Sequence, residues 1–113
     1  MKRSEIWLIN PDPTIGAEIR KTRPAVIVND DALGVLPLKI IVPITDWKPN
    51  YAIADWMVKL EPDTTNHLTK DSAADCFQVR SLSQLRMVRK IGNVDTLKMS
   101  EIEEALARVL KIR

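Results

Sequence analysis

The chain has 113 residues, 45% hydrophobic and 28% charged, with three glycines, one cysteine and one histidine. That length and composition describe one globular domain with a real core, and they exclude a disordered chain, a collagen-like repeat and an intrachain disulfide framework. Lys and Arg total 17 against 15 Asp and Glu, a net charge of +2 that selects no partner by itself.

The first residues, Met-Lys-Arg-Ser-Glu-Ile-Trp, place an acid where a signal peptide needs apolar residues. Apolar runs such as Ala25–Val28 are far short of a membrane span. Both features predict a cytoplasmic protein that does not enter a membrane. Glu5–Asn10 is β-prone and stops at Pro11, which predicts the first strand. Pro11–Thr22, with Pro11, Pro13 and Gly16, predicts a long loop of the kind that carries function in small domains. Pro24–Asn29 is nearly all apolar and predicts a strand buried on both faces. A turn beginning at Asn29-Asp30-Asp31 ends near Gly34. Leu38–Ile44 is the next strand, and Pro43 marks an edge or a bulge in it. A turn over Asp46–Asn50, a strand over Ala52–Leu60, a polar loop over Glu61–Lys70, a strand over Ser72–Arg80 and a short strand over Lys90–Val94 follow.

The C-terminal segment then changes period. Leu97, Ile102, Ala105, Leu106, Val109 and Leu110 fall on one helical stripe. Asp95 is a good N-cap, because its carboxylate can accept from the orphan N–H groups of the first turn. Ser100 and Glu103 offer a capping box one turn later, but the stripe already includes Leu97. Short consecutive strands followed by one amphipathic helix predict a small antiparallel barrel, mainly β with α, spanning residues 1–113.

The chemistry available to such a barrel is narrow. His67 is the lone histidine and sits in the polar run Thr65–Leu68, where a solvated surface residue is the default reading. One histidine cannot supply a two-histidine acid–base pair within a protomer. Cys76 lies in a predicted strand, where cysteine behaves as a small hydrophobe. No spacing of acids, histidine and cysteine demands a metal, and there is no phosphate-binding glycine loop or nucleophile elbow. Arginine is more informative. Arg80, Arg86, Arg89, Lys90 and Lys98 crowd the segment from Gln78 to Lys98, and Arg20, Lys21 and Arg23 form a second group. A solvated face is the default for such clusters, and a groove for a polyanion is the sharper alternative. Arg23 stands immediately before Pro24 at the head of the most apolar strand, and Thr45 follows Ile44 at the end of the next one. If those strands are neighbours, a fixed guanidinium and a hydroxyl lie at related ends of one sheet, where they can bind and orient a phosphate.

The blocks Asp12–Glu18 (DPTIGAE) and Lys21–Val28 (KTRPAVIV) resemble the signature of MazF/PemK toxins. Val42-Pro43-Ile44-Thr45, Lys70-Asp71-Ser72, Gln78-Val79-Arg80-Ser81, Ile91-Gly92 and Glu104-Ala105-Leu106 continue the resemblance in order along nearly the whole chain. The resemblance implies an SH3-like barrel of the CcdB/PemK type with a C-terminal helix. It implies a homodimeric endoribonuclease that cleaves single-stranded RNA without a metal or other cofactor and independently of ribosomes. A cognate acidic antitoxin would inhibit it, and operator DNA would be met only through that antitoxin. Carried over residue by residue, it implies catalytic roles for Arg23, Thr45 and Glu18, and RNA-binding roles for Lys21, Arg20, Ser72 and Gln78. The chain departs from the family pattern at Phe77, where many members carry an acid just before the Gln; Asp75, two residues earlier, would share its strand face. Two alternatives stay open: a gyrase-poisoning toxin like CcdB, whose Trp-Gly-Ile tail is replaced here by Leu110-Lys111-Ile112-Arg113, and a barrel that binds RNA or antitoxin without turnover.

Overall fold

The computed structural model describes residues 1–11, 22–33 and 36–112. Among the described residues, seven strands and one α-helix follow in order: β1 (Glu5–Ile9), β2 (Arg23–Ile27), β3 (Leu38–Asp46), β4 (Met57–Leu60), β5 (Ser72–Asp75), β6 (Arg80–Ser83), β7 (Met87–Asn93) and α1 (Thr96–Leu110). Every pairing is antiparallel, in the order β4-β5-β3-β2-β1-β7, with β6 also on β3. This is the expected mainly-β barrel with a C-terminal helix.

β3 holds the two halves together. Its first half, Leu38–Ile41, pairs with β6, and its last residues, Ile44–Asp46, pair with β5. Pro43 therefore lies in an interior strand rather than at an edge. It sits where β3 changes neighbours, so its missing N–H interrupts neither of those ladders.

β2 is buried on both faces, as its composition predicts. Val26 and Val28 join one core with Ile6, Val42, Ile44, Leu60 and Ile102, while Ala25 and Ile27 join a second with Ile9, Ile41, Leu82 and Met87. Cys76 is completely buried in the first core. Burial, reinforced by the neighbouring Asp75 carboxylate, pushes its thiol up to about 12, so it acts as an inert hydrophobe.

Four expectations need correction. Ala52–Leu60 is not one strand: Pro49–Ile53 forms a 3₁₀ turn with Pro49 in its first turn, Ile53 is exposed, and β4 begins only at Met57. Ser72–Arg80 breaks at Asp75, whose carboxylate accepts from the Phe77 N–H at 3.2 Å and caps a 3₁₀ turn over Cys76–Gln78. Beyond that turn β6 appears as a separate strand, and β7 starts at Met87 rather than Lys90. The helix is capped by Asp95 as expected, through the Lys98 N–H at 2.8 Å, but its buried side chains are Met99, Ile102 and Ala105. Leu97 and Leu110 are exposed, so the stripe is rotated from the one the sequence suggests.

Candidate active site

Arg23 opens β2 opposite Ile9 of β1, and the next residue, Pro24, pairs with Leu8, which pairs in turn with Arg89 of β7. Arg89 and Pro24 thus flank Leu8 across three strands. On the other side of β2, the ladder to β3 ends at Ala25 and Pro43. Arg23 and Thr45 each lie two residues beyond that last pair. From Ile44 onward β3 pairs with β5, and a cleft of about 480 Å³ lies beside these strand ends. Its apolar lining includes Leu8, Pro24, Ile44 and Leu68, and its polar lining includes Arg23, Thr45, Asp46, His67, Lys70 and Arg89.

The cleft is cationic among the described residues. Lys70 Nζ lies 3.1 Å from the Asp46 carboxylate, which balances that pair. Among the described residues, no carboxylate forms a salt bridge with Arg23 or Arg89. Guanidiniums fixed at strand positions recognise phosphate oxygens through paired N–H donors.

The Glu61–Lys70 loop forms one wall of the cleft, and its conformation is heavily braced. Asp63 Oδ1 accepts from the N–H groups of Thr65 (2.8 Å) and Asn66 (2.7 Å). The buried Asn66 side chain accepts from the Asp63 and Leu68 N–H groups and donates to the Glu61 carbonyl at 2.8 Å. The loop is also clamped to β7, with Asn93 N–H donating to the Thr65 carbonyl at 3.0 Å. Gly92 makes this approach possible: a Cβ there would stand 2.5 Å from the Thr65 carbonyl oxygen and 2.6 Å from that of Asn66. The braced loop carries His67 in a left-handed backbone conformation (φ 55°) with its Nδ1 2.7 Å from the Ile91 carbonyl oxygen.

The expected site residues divide as follows. Arg23, Thr45 and Ser72 line one cleft. Ser72 is buried and its hydroxyl donates to the Lys70 carbonyl at 2.9 Å, so it shapes the wall rather than offering a free donor. Gln78 does not line the cleft; its amide donates to the Asp75 carboxylate at 3.0 Å. Asp75, which accepts that bond and caps the turn over Cys76–Gln78, is likewise absent from the lining. Glu18, Arg20 and Lys21 lie outside the described residues. Residue order alone missed Arg89, Lys70, Asp46 and His67. Arg89 carried a faint signal in the basic cluster, and His67 carried only its rarity. Among the described residues no three His, Cys, Asp or Glu side chains are grouped to hold a metal ion, and no helix is long and apolar enough to cross a membrane.

Residues 2–110 match the family model described as PemK-like, MazF-like toxin of type II toxin–antitoxin system. The chain belongs to this family. Endoribonuclease MazF9 of Mycobacterium tuberculosis is 33% identical over 112 residues, covering 94% of this chain and 92% of the relative. Endoribonuclease PemK of Escherichia coli is 30% identical, covering 97% and 82%. The fold is shared with MazF in a MazE–MazF crystal structure from Deinococcus radiodurans, at a TM-score of 0.79 and 20% identity over 100% of this chain and 97% of that one. It is shared as well with a mycobacterial endoribonuclease in complex with its cognate antitoxin, at a TM-score of 0.76 and 18% identity over 100% and 97%.

Proposed function

We propose that this toxin is an endoribonuclease that cuts single-stranded RNA at the Arg23–Thr45 cleft, using the substrate's own 2′-OH as nucleophile. The observation that carries the reading is that Arg23, Thr45 and Arg89 line one cleft beside the end of the β2–β3 ladder. The endoribonuclease names of the relatives support it, and favour it over gyrase poisoning.

The reaction follows from the groups present. The 2′-oxygen forms a bond to phosphorus, the bond from phosphorus to the 5′-oxygen breaks, and the products are a 2′,3′-cyclic phosphate, or its 3′-phosphate, and a 5′-OH. Negative charge grows on the non-bridging oxygens during the displacement, and the preorganised Arg23 guanidinium stabilises it. The Thr45 hydroxyl donates to one of those oxygens and holds the phosphate in line. Glu18 accepts the 2′-OH proton, and Arg20, Lys21 and Arg89 attract the flanking phosphates. The nucleophile belongs to the RNA, so the mechanism uses no metal-activated water.

The physiological frame is a single toxin domain over residues 1–113, acting in the cytoplasm as a homodimer. A cognate antitoxin with an acidic, extended segment occupies the same cationic groove, and contact with operator DNA comes only through it. The direct test is to incubate the purified protein with a long single-stranded RNA in EDTA and map the new 5′ ends. Discrete cuts bearing 5′-OH are expected; intact RNA, or cuts bearing 5′-phosphate, would overturn the mechanism.

A further inference from the structure

We infer that His67 is the general acid of this cleft, donating a proton from Nε2 to the departing 5′-oxygen. The inference rests on the ribonuclease reading above and assigns a step that reading leaves open: the 5′-oxygen must take up a proton as its bond to phosphorus breaks.

The lining residues differ sharply in what they can do with a proton. The other charged side chains of the cleft are the guanidiniums of Arg23 and Arg89, the ammonium of Lys70 and the carboxylate of Asp46, and such groups are as a class poorer proton donors than imidazole near neutrality. Imidazole is the side-chain group whose proton is ordinarily exchangeable near neutrality. His67 is the only histidine in the chain, and it lines this cleft.

Its placement is built rather than incidental. A β-carbon in the left-handed region is disfavoured, and the loop holds one there at His67 with the Asp63 and Asn66 hydrogen bonds and the Gly92 contact. The Ile91 carbonyl only accepts, so the 2.7 Å contact makes Nδ1 the donor and fixes the ring. Nε2 is then the nitrogen left to face a ligand. In the protonated ring it carries the transferable hydrogen. In the step itself the electron pair of the breaking bond goes to the 5′-oxygen, which takes the Nε2 proton, while the 2′-OH proton goes to the carboxylate of Glu18. Water returns a proton to the exposed ring afterwards.

The test compares two RNAs carrying the mapped cut site, one ordinary and one with sulfur replacing the bridging 5′-oxygen, a leaving group that needs no protonation. His67→Gly keeps the left-handed backbone without strain, and His67→Asn tolerates it and retains an amide donor. Both variants are expected to cut ordinary RNA about 100-fold more slowly than the parent protein and to cut the thio-substituted RNA at a rate close to the parent's. Arg23→Ala should be slow on both. Variants that keep pace on ordinary RNA, or that remain equally slow on the sulfur substrate, would overturn the acid role while leaving the ribonuclease reading standing. A parent protein that cuts neither RNA would overturn both.

Discussion

Arg23 and Thr45 line the same cleft, each two residues past the point where the ladder between β2 and β3 ends at Ala25 and Pro43. Over the same stretch β3 exchanges β6 for β5, pairing with β6 through Ile41 and with β5 from Ile44, and the cleft lies beside that exchange. A guanidinium on one lip and a hydroxyl on the other are held by strands on both sides, which is the rigidity that electrostatic catalysis requires.

Arg23→Ala should lower turnover by about 100-fold or more with little change in thermal midpoint, since the side chain is exposed and its loss opens no core cavity. Arg23→Lys should recover little, because an ammonium lacks the planar pair of donors. Rates on a single-site RNA, with melting curves for each variant, check both statements. A folded Arg23→Ala protein with normal turnover would remove Arg23 from the reaction.

Substrate chemistry provides a second check. Replacing the ribose at the cut site by 2′-deoxy or 2′-O-methyl sugar should abolish cleavage, and EDTA should leave the rate on ordinary RNA unchanged. Cleavage of the modified strands would require a water nucleophile and refute 2′-OH attack.

Inhibitor and substrate should share the cationic groove. Lys21→Glu and Arg89→Glu are each expected to weaken RNA and antitoxin binding together, and both affinities should fall as salt rises. Calorimetry at two ionic strengths measures this. Antitoxin binding indifferent to both charge reversals would place inhibition elsewhere on the surface.

Glu5 gives the fold a pH dependence. Burial tends to raise its carboxyl, but donation from Trp7 Nε1 (2.9 Å) and the Lys2 N–H (3.0 Å), with the Lys90 ammonium 3.3 Å away, outweighs burial and lowers the pKa to about 2. The folded value lies below the ordinary 4.5, so the stabilisation is complete above that value and lost as pH falls toward about 2. Glu5→Gln should cost roughly 1–2 kcal/mol near neutrality, allowing for solvent screening, and progressively less in acid. Denaturant unfolding of both proteins across that range would reveal a constant difference if the carboxylate were not responsible.

Gly92→Ala should destabilise the protein by about 1–3 kcal/mol, because the new methyl meets backbone oxygens that cannot rotate away. It should also slow RNA cleavage by moving the loop that carries His67. Hydrogen exchange at Asn66 and Leu68 would report the movement, and unchanged protection there would show that Gly92 does not position the loop.

Several parts of this molecule were legible from residue order because their causes are local. The both-face burial of β2 follows from five consecutive small or apolar residues, Pro24–Val28. The start of α1 follows from one carboxylate at Asp95, and the barrel class from short strands followed by a helical period. The motif blocks likewise carried the family. What residue order left open depends on contacts between distant segments. The exposed Leu97 and buried Met99 were decided by which side of α1 meets β4 and the Cys76–Gln78 turn. The inclusion of Ser72 and exclusion of Gln78 from the cleft were decided by the Asp75 cap, which ends β5 and turns the chain away. His67 read as an ordinary polar-loop residue because nothing within a few positions of it reveals Gly92, whose missing side chain lets β7 accept the loop. Caps and periodicity act over one or two turns, so a sequence displays them directly; strand register and loop docking are set by packing across many tens of residues and exist only once the chain has folded.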